Sequence, residues 1–211
     1  KRLIINMPPR HTKSEFASYL FPAWFLGQYP DKKVIQTAHT AELAVGFGRK
    51  VRNLIQSKDF QNVFSGIELS TDSKAAGRWN TNKRGDYFAI GVGGAVTGKG
   101  ADILIIDDPH SEQEAQLGQY NPDVYDKVYE WYTSGPRQRL QPGGAIILVM
   151  TRWSKRDLTG QIIKSMSERE GADEWEVIEL PAILHSGKAL WGEFWSLEEL
   201  ESLKAELPVA K

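Results

Sequence analysis

The sequence contains no cysteine among its 211 residues, which excludes a disulfide framework and a thiolate metal site. It has no run approaching the ~20 apolar residues of a transmembrane helix, and no segment with the pattern of a signal peptide. Neither sign of charge dominates, since 26 basic and 27 acidic residues give a net charge of -1. A static DNA-binding module is usually basic, so this balance argues against that class but not against transient contact with DNA.

Length and composition suit one folded domain. Apolar residues make up 41% of the chain and charged residues 25%, which are ordinary proportions for a globular protein. We expect residues 1–211 to form a single domain, with residues from about 181 to 211 as a C-terminal extension or linker. The histidines show no metal-ligand spacing, and no metal site is assigned to them: His11, His39, His110 and His185.

Buried strands alternate with helices along the chain. Apolar runs predict strands at residues 3–7, 34–38, 103–106, 145–150 and 177–180, and Gly-rich turns predict hairpins within 65–100, including a β-rich piece at 87–92. Helices are predicted at 14–25, where Pro22 kinks or ends the helix, at 41–57 with Thr40 as its cap, and at 125–134, 157–169 and 197–207. This alternation predicts an α/β domain with a mainly parallel sheet, in which ligands bind beyond the carboxyl ends of the strands.

A Lys-Ser pair follows the first predicted strand, within the segment Pro8-Pro9-Arg10-His11-Thr12-Lys13-Ser14. The usual phosphate-binding loop reads G-x-x-x-x-G-K-[ST], and here Met7 and Thr12 stand at the two glycine positions. A lysine before a serine at a helix start places an ammonium near the β- and γ-phosphates and a hydroxyl near Mg²⁺, in a field that favours anions. The alternative interpretation is a basic turn that Ser14 caps.

Two aspartates, Asp107 and Asp108, end the apolar run 103–106. An apolar strand that ends in acid is the Walker B arrangement, in which the first carboxylate orients Mg²⁺ and the next group polarises the attacking water. The alternative interpretation is a polar strand exit that turns at Pro109. The order of the two segments, with the lysine loop first and the acids later, favours a nucleotide site.

Two further segments contain basic residues. Thr151-Arg152-Trp153 follows the predicted strand 145–150 and is interpreted either as a γ-phosphate sensor or as a solvent-facing turn with Trp153 packed below. The Gly-rich segment 91–100 lacks a nucleotide-binding helix after it, so a dinucleotide site is disfavoured. It is interpreted either as a flexible loop that delivers Lys99 or as a hairpin linker.

Together these segments resemble the ATPase domain of tailed-phage large terminases. The form P-P-R-H-x-K-S, without glycines, is a more specific marker than an ordinary phosphate loop. The resemblance implies a P-loop NTPase fold of the RecA-like, ASCE type, with a mainly parallel sheet flanked by helices, and ATP hydrolysis with Mg²⁺. The matching pieces lie within residues 3–153, at 8–14, Thr37-Ala38-His39-Thr40, 91–102, 105–110 and 150–153.

The resemblance also implies roles for the matching residues. Lys13 would hold the β- and γ-phosphates, Ser14 and Asp107 would serve Mg²⁺, and Arg10 would contact the γ-phosphate. In this family's terms, residues 8–14 are the Walker A motif and the acids after 103–106 complete Walker B. The residues assigned to nucleotide binding are Pro9, Arg10, His11, Thr12, Lys13 and Ser14.

Asp108 stands where many relatives of that family have a catalytic glutamate. It is therefore the candidate for activating water, with Glu112 as a weaker one. Relatives often have an arginine where Lys99 stands, and it reaches a neighbouring subunit's nucleotide; Lys99 is the candidate for this trans-acting role and Arg84 the fallback. Thr151-Arg152-Trp153 matches the motif that couples hydrolysis to motion.

The implied function is a viral DNA-packaging motor that translocates double-stranded DNA into a procapsid in the host cytoplasm. The implied partners are DNA, the portal protein and the small terminase subunit, with no membrane, and the chain would form a homo-oligomeric ring or be a monomer in isolation. We expect no nuclease activity, because the family's nuclease domain would follow residue 211. The family's adenine-contacting segment would precede residue 1. The alternatives are another P-loop DNA translocase or helicase, and a nucleotide-gated interaction module with little turnover.

Overall fold

An eight-stranded, mostly parallel sheet forms the centre of the fold. The computed structural model describes residues 1–206, without the side chains of residues 73 and 74. Across the sheet the strand order is β3-β4-β5-β2-β6-β7-β1-β8, with antiparallel pairing only between β3, β4 and β5. The strands are β1 (Arg2–Asn6), β2 (Lys33–Ala38), β3 (Leu69–Ala75), β4 (Arg78–Thr81), β5 (Asp86–Gly91), β6 (Ala101–Asp107), β7 (Leu140–Met150) and β8 (Glu176–Glu179).

Helices cover both faces of this sheet, which confirms the predicted α/β class. They are α1 (Phe21–Gln28), α2 (Ala41–Ile55), α3 (Lys58–Val63), α4 (Glu112–Leu117), α5 (Asp123–Ser134), α6 (Leu158–Glu168) and α7 (Leu197–Glu206). A π-helical segment, Glu15–Leu20, precedes α1, and a 3-10 segment, Pro136–Arg139, precedes β7. Among the helices described up to residue 206, none is long and apolar enough to cross a bilayer.

Alternate residues of β6 belong to two separate cores. Leu104 and Ile106 pack with residues of α5 and α6, whereas Ile103 and Ile105 pack with residues of α1, α2 and α3. A strand that is covered on both faces has no solvent side, so its sequence is apolar throughout. This is why the run before Asp107 and Asp108 is continuous rather than alternating.

The predicted elements are present, with shifted boundaries. β7 begins at Leu140 rather than at residue 145, and the first predicted helix divides into the π-helical segment and α1. Pro22 lies where the π-helical segment passes into α1, so the missing N–H coincides with the change of helix type, and α1 continues to Gln28. The short helices α3 and α4 were not predicted. Leu207, expected to end the last helix, lies outside the described residues, and the assignment of 181–211 as an extension stays a prediction.

Candidate active site

The loop between β1 and the π-helical segment has two non-glycine residues in the left-handed region. Arg10 has φ 57° and Thr12 has φ 65°. Thr12 occupies the second glycine position of the usual phosphate loop, so it adopts there a conformation that glycine adopts without strain. The His11 side chain, which is 3% exposed, holds the turn through a hydrogen bond of 2.8 Å between Nδ1 and the Pro9 carbonyl. The loop therefore has glycine-like geometry without glycine.

Ser14 does not cap the helix that follows it. Its backbone is already helical, and its hydroxyl makes no capping bond to a backbone N–H. Instead the hydroxyl donates to Asp107 Oδ1 at 2.9 Å, across 93 positions of the sequence. The interpretation of Lys13-Ser14 as a basic turn with a serine cap is therefore wrong, because the hydroxyl contacts an acid at the end of another strand.

Asp107 is buried, with 2% of its surface exposed. Its second oxygen, Oδ2, accepts a hydrogen bond of 2.7 Å from Ser18, a residue of the π-helical segment. Burial raises the pKa of Asp107 to about 6; the Ser18 hydrogen bond opposes this rise, the Asp108 carboxylate adds to it, and Ser14 and Lys13 oppose it. Both oxygens of this carboxylate are thus held by serine hydroxyls.

Asp108 joins the lysine loop to the end of β7. Its Oδ2 lies 2.7 Å from Lys13 Nζ, and only 7% of the lysine side chain is exposed. Its Oδ1 accepts a hydrogen bond of 2.8 Å from the Thr151 backbone N–H, and the Thr151 hydroxyl donates to the Met7 carbonyl at 3.3 Å. Because β7 lies between β1 and β6, Thr151 is placed to touch both the loop and the acid strand.

Arg152 and Trp153 are organised by a buried aspartate. Asp157, which is 0% exposed, pairs with Arg152 Nε at 3.0 Å and accepts the Trp153 backbone N–H at 2.9 Å. It also accepts the Gly160 N–H at 2.9 Å, which caps α6. Trp153 keeps 38% of its surface exposed, so it is not packed beneath the turn as one interpretation held.

His110 ties the acid loop to the same helix. Its Nε2 accepts the Leu158 backbone N–H at 2.9 Å, and its ring meets the edge of Tyr125 at 5.1 Å between centroids. Burial lowers the pKa of His110, although the carboxylates of Asp157, Glu114 and Asp108 oppose this. A neutral imidazole is what the acceptor role requires.

Five of the predicted site residues therefore meet at the carboxyl edge of the sheet: Lys13, Ser14, Asp107, Asp108 and Thr151. Others do not. Arg10 is exposed and forms no ion pair within residues 1–206. Glu112 is exposed in the first turn of α4 and makes none of the contacts that join the cluster. Lys99 and Arg84 precede β6 and β5 and so lie at the amino-terminal edge, where Lys99 Nζ pairs with Asp86 at 2.7 Å.

Three contacts in the site were not predicted from the sequence. Ser18 stands at helical spacing from Ser14, which indicates a shared helix face but no partner for the hydroxyl. Asp157 stands directly before α6, which indicates a helix cap but no partner beyond it. Trp195 stacks on His11 with 6.3 Å between centroids and 16° between planes. No local sequence signal relates Trp195 to His11, because they come together only in the tertiary fold.

The site has the donors that Mg²⁺ prefers. The described residues contain no cluster of three His, Asp or Glu side chains that would enclose a cation. Mg²⁺ does not require one, since it keeps several waters and binds through one or two carboxylates together with substrate phosphates. The Ser14 hydroxyl and the Asp107 carboxylate, 2.9 Å apart, are hard oxygen donors of this kind.

Solved structures with a similar fold are phage large terminases. The large terminase of bacteriophage HK97 matches with a TM-score of 0.57 at 12% identity, over 97% of this chain and 43% of that one. A mutant of the Thermus phage P74-26 large terminase ATPase domain matches with a TM-score of 0.55 at 12% identity, over 98% of this chain and 84% of that one. Another structure of that P74-26 domain matches with a TM-score of 0.50 at 12% identity, over 99% and 84%.

No family model and no curated protein matches the sequence. The structural matches cover nearly all of this chain, and they show that it has the fold of phage large terminase ATPase domains, with a mostly parallel sheet flanked by helices. This confirms the predicted fold. The chain spans less than half the length of the HK97 protein, at 43%.

Proposed function

We propose that this chain is the ATPase domain of a phage large terminase, which hydrolyses ATP with Mg²⁺ to drive double-stranded DNA into a procapsid. The meeting of Lys13, Ser14, Asp107 and Asp108 at one edge of the sheet carries the proposal. An ammonium, a hydroxyl and two carboxylates are the groups that a triphosphate, its cation and an attacking water require. Residues 9–14 would surround the phosphates.

The ion pair between Lys13 and Asp108 suggests how nucleotide would arm the site. A triphosphate in the loop would draw the Lys13 ammonium to its β- and γ-oxygens and release Asp108 Oδ2. That oxygen could then accept a hydrogen bond from the attacking water, while the Thr151 N–H holds Oδ1 in place. Hydrolysis would follow by in-line attack, accelerated mainly by positioning and charge stabilisation.

The remaining site residues would stabilise charge on the γ-phosphate. Ser14 and Asp107 would hold Mg²⁺, which would supply positive charge against the phosphate oxygens. Arg10 is an exposed residue of the loop and has no ion pair to break within the described chain, so its guanidinium could reach the γ-phosphate. Lys99 lies at the opposite edge of the sheet and would act on the nucleotide of a neighbouring subunit in a ring.

Arg152 and Trp153 would carry the response to hydrolysis into α6. Thr151 contacts Asp108, and the next two residues contact Asp157, the cap of α6. A change at Asp108 therefore has a short path to a helix, through one hydrogen bond to Thr151 and the contacts of the next two residues with Asp157. The proposed partners are DNA, the portal protein and the small terminase subunit, and the proposed location is the host cytoplasm.

The proposed activity is tested by phosphate release from ATP in the presence of Mg²⁺. Lys13→Ala should lower the rate by about 100-fold or more and weaken nucleotide binding, because it removes the charge that faces the β- and γ-phosphates. Lys204→Ala is the matched control, since that side chain is 71% exposed far along the chain and should not matter. Unchanged release by the Lys13 variant would contradict the proposal.

A nucleotide-gated module is the second candidate, and the ion pair favours it. Lys13 and Asp108 are paired with each other, and Asp108 is shorter than the glutamate of many terminases. Both features are consistent with nucleotide binding without turnover. Addition of double-stranded DNA and portal protein distinguishes the two functions. Stimulated phosphate release supports the motor, whereas nucleotide binding without turnover supports the module. Separation of a forked duplex without capsid components would instead indicate a helicase.

A further inference from the structure

Ser18 is one helical turn beyond Ser14 and has no place in the site as predicted. Its side chain is buried, at 0% exposure. The hydroxyl donates to Asp107 Oδ2 at 2.7 Å, while Ser14 donates to Asp107 Oδ1 at 2.9 Å. A carboxylate held at one oxygen can rotate about its Cβ–Cγ bond, whereas a carboxylate held at both has a fixed plane. Ser18 thus supplies the second of the two restraints on this carboxylate.

Gln36 of β2 determines which way the Ser18 hydroxyl points. Gln36 Nε2 donates to Ser18 Oγ at 3.1 Å, and Gln36 is itself buried at 0% exposure. A hydroxyl has one proton, and an amide donor on its lone pair leaves that proton for the other neighbour, Asp107. Serine in a helix commonly bonds the carbonyl of the preceding turn. Here the hydroxyl instead bridges from the π-helical segment to the end of β6.

Burying these polar side chains lowers the stability of the fold, which is expected only where they serve a function. Gln36 Oε1 has no hydrogen-bond partner among the described residues, and an unpaired buried amide oxygen destabilises the fold. An apolar pair at positions 18 and 36 would avoid that cost. The chain therefore keeps a hydrogen-bonded series of three polar side chains, Gln36, Ser18 and Asp107, at buried positions where packing alone would favour apolar side chains.

We infer that Ser18, oriented by Gln36, is a positioning residue that fixes the Asp107 carboxylate for the cation of a bound nucleotide. The inference rests on the proposed function and adds a residue to it. Partners that orient a metal ligand typically contribute about 10- to 100-fold in metal affinity or activity. Loss of the Ser18 hydroxyl should therefore weaken the coupling between cation and nucleotide more than it weakens nucleotide binding alone.

The test measures the affinity of the whole chain for a fluorescent ADP analogue with and without Mg²⁺. Ser18→Thr keeps the hydroxyl and Ser18→Val has nearly the same shape without it, so this pair differs only in the hydrogen bond. We expect the threonine variant to retain the Mg²⁺-dependent gain in affinity and the valine variant to lose about 10-fold of it. Affinity without Mg²⁺ should be equal in both.

Ser18→Ala covers the case in which the larger residues do not fold in this buried position. It should show the same loss of the Mg²⁺-dependent gain, and Gln36→Leu should show a smaller loss in the same direction. A gain as large in the alanine or valine variant as in the wild-type chain would overturn the role of Ser18. If the wild-type chain itself shows no gain with Mg²⁺, the nucleotide site is wrong, which is a different result.

Discussion

At the residue scale, the buried charge of Asp107 should make stability depend on pH. Burial raises the pKa of Asp107 to about 6 from 3.8, so the folded chain binds this proton more tightly than the unfolded chain does. The stability that the residue contributes is therefore full below pH 3.8 and is lost as the pH rises through about 6. Above that pH the folded protein bears the cost of an ionised, buried carboxylate.

Asp107→Asn should accordingly stabilise the nucleotide-free chain at pH 7.5. We expect a gain of roughly 3 kcal/mol in the free energy of unfolding, at ~1.4 kcal/mol per pKa unit, together with loss of ATP hydrolysis. Urea unfolding at several pH values measures it, and the gain should vanish near pH 4. A destabilised variant at pH 7.5 would show that the hydrogen bonds from the serines outweigh burial.

Asp173 gives a control of opposite sign. Partial burial acts to raise its pKa, but hydrogen bonds and charge from Arg137, at 2.7 Å, and Arg2, at 3.1 Å, lower it overall. Its contribution to stability is present above the unfolded pKa and is lost as the pH falls through the folded value. Asp173→Asn should therefore destabilise the chain at pH 7.5.

The two candidates for the group that activates water, Asp108 and Glu112, should respond differently to substitution. Asp108→Asn should lower ATP hydrolysis by about 100-fold while nucleotide binding persists, because the amide cannot accept the proton of the attacking water. Glu112→Gln should leave the rate unchanged, since Glu112 is exposed on α4 and touches no residue of the cluster. Single-turnover phosphate release separates the two, and a large effect at Glu112 alone would reverse the assignment.

Local sequence signals identified some of these residues and not others. Asp107 and Asp108 end one apolar run and Lys13 lies in the loop that follows another, and parallel strands bring such positions to one edge. The bond between Ser18 and Asp107 joins residues 89 positions apart, and neither the hydroxyl nor its spacing specifies that partner. The left-handed conformation of Thr12 was also invisible, because threonine rarely adopts it.

At the scale of elements, α6 depends on one aspartate. Asp157 accepts the N–H groups of Trp153, Ser154 and Gly160 and pairs with Arg152, all from a fully buried position. Removing a buried charged partner leaves several donors unsatisfied. The residues that would respond to hydrolysis and the start of the helix are therefore held by a single side chain.

Asp157→Ala should destabilise the protein by about 3 kcal/mol, measured by chemical denaturation. Asp126→Ala is the matched control, since its ion pair with Arg156 at 3.0 Å is 48% and 54% exposed and should contribute less than about 1 kcal/mol. Equal losses in the two variants would mean that Asp157 acts only as an ordinary surface charge.

Elements with strong periodicity or long apolar runs were predicted, and short ones were not. The strands β2 and β6 and the helix α2 agree with the sequence pattern, because burial on both strand faces or one helix face dictates it. The helices α3 and α4, Lys58–Val63 and Glu112–Leu117, are only a turn or two long. Their caps, Ser57 and Ser111, are common in loops as well.

At the scale of the whole molecule, the groups proposed to act on one nucleotide lie at two edges of the sheet. Asp107 ends β6 and Lys99 precedes its start, so about 20 Å of strand separates them. Lys99 cannot reach the site of its own chain without unpacking. Its ion pair with Asp86, in which the two side chains are 15% and 17% exposed, would have to break for it to reach another.

If Lys99 acts on a neighbouring subunit, hydrolysis per chain should rise with protein concentration. Lys99→Ala should remove that rise, lowering the rate at high concentration on the order of 10-fold or more. Arg84→Ala is measured in parallel, because Arg84 lies at the same edge and is the fallback. A concentration-dependent rise that survives in the lysine variant and disappears in the arginine variant would transfer the role to Arg84.

The separation of these two edges also bears on how copies of this chain could associate productively. In a twofold dimer each contact is made twice, so an interface that brought Lys99 of one copy to Lys13 of the other would engage both copies and leave no free edge for a third. In a head-to-tail repeat the two edges of each copy face different neighbours, so every junction could pair a Lys99 with a Lys13. Such a repeat either closes into a ring or grows without end, and the distance between the two edges is what allows more than two copies to share the work.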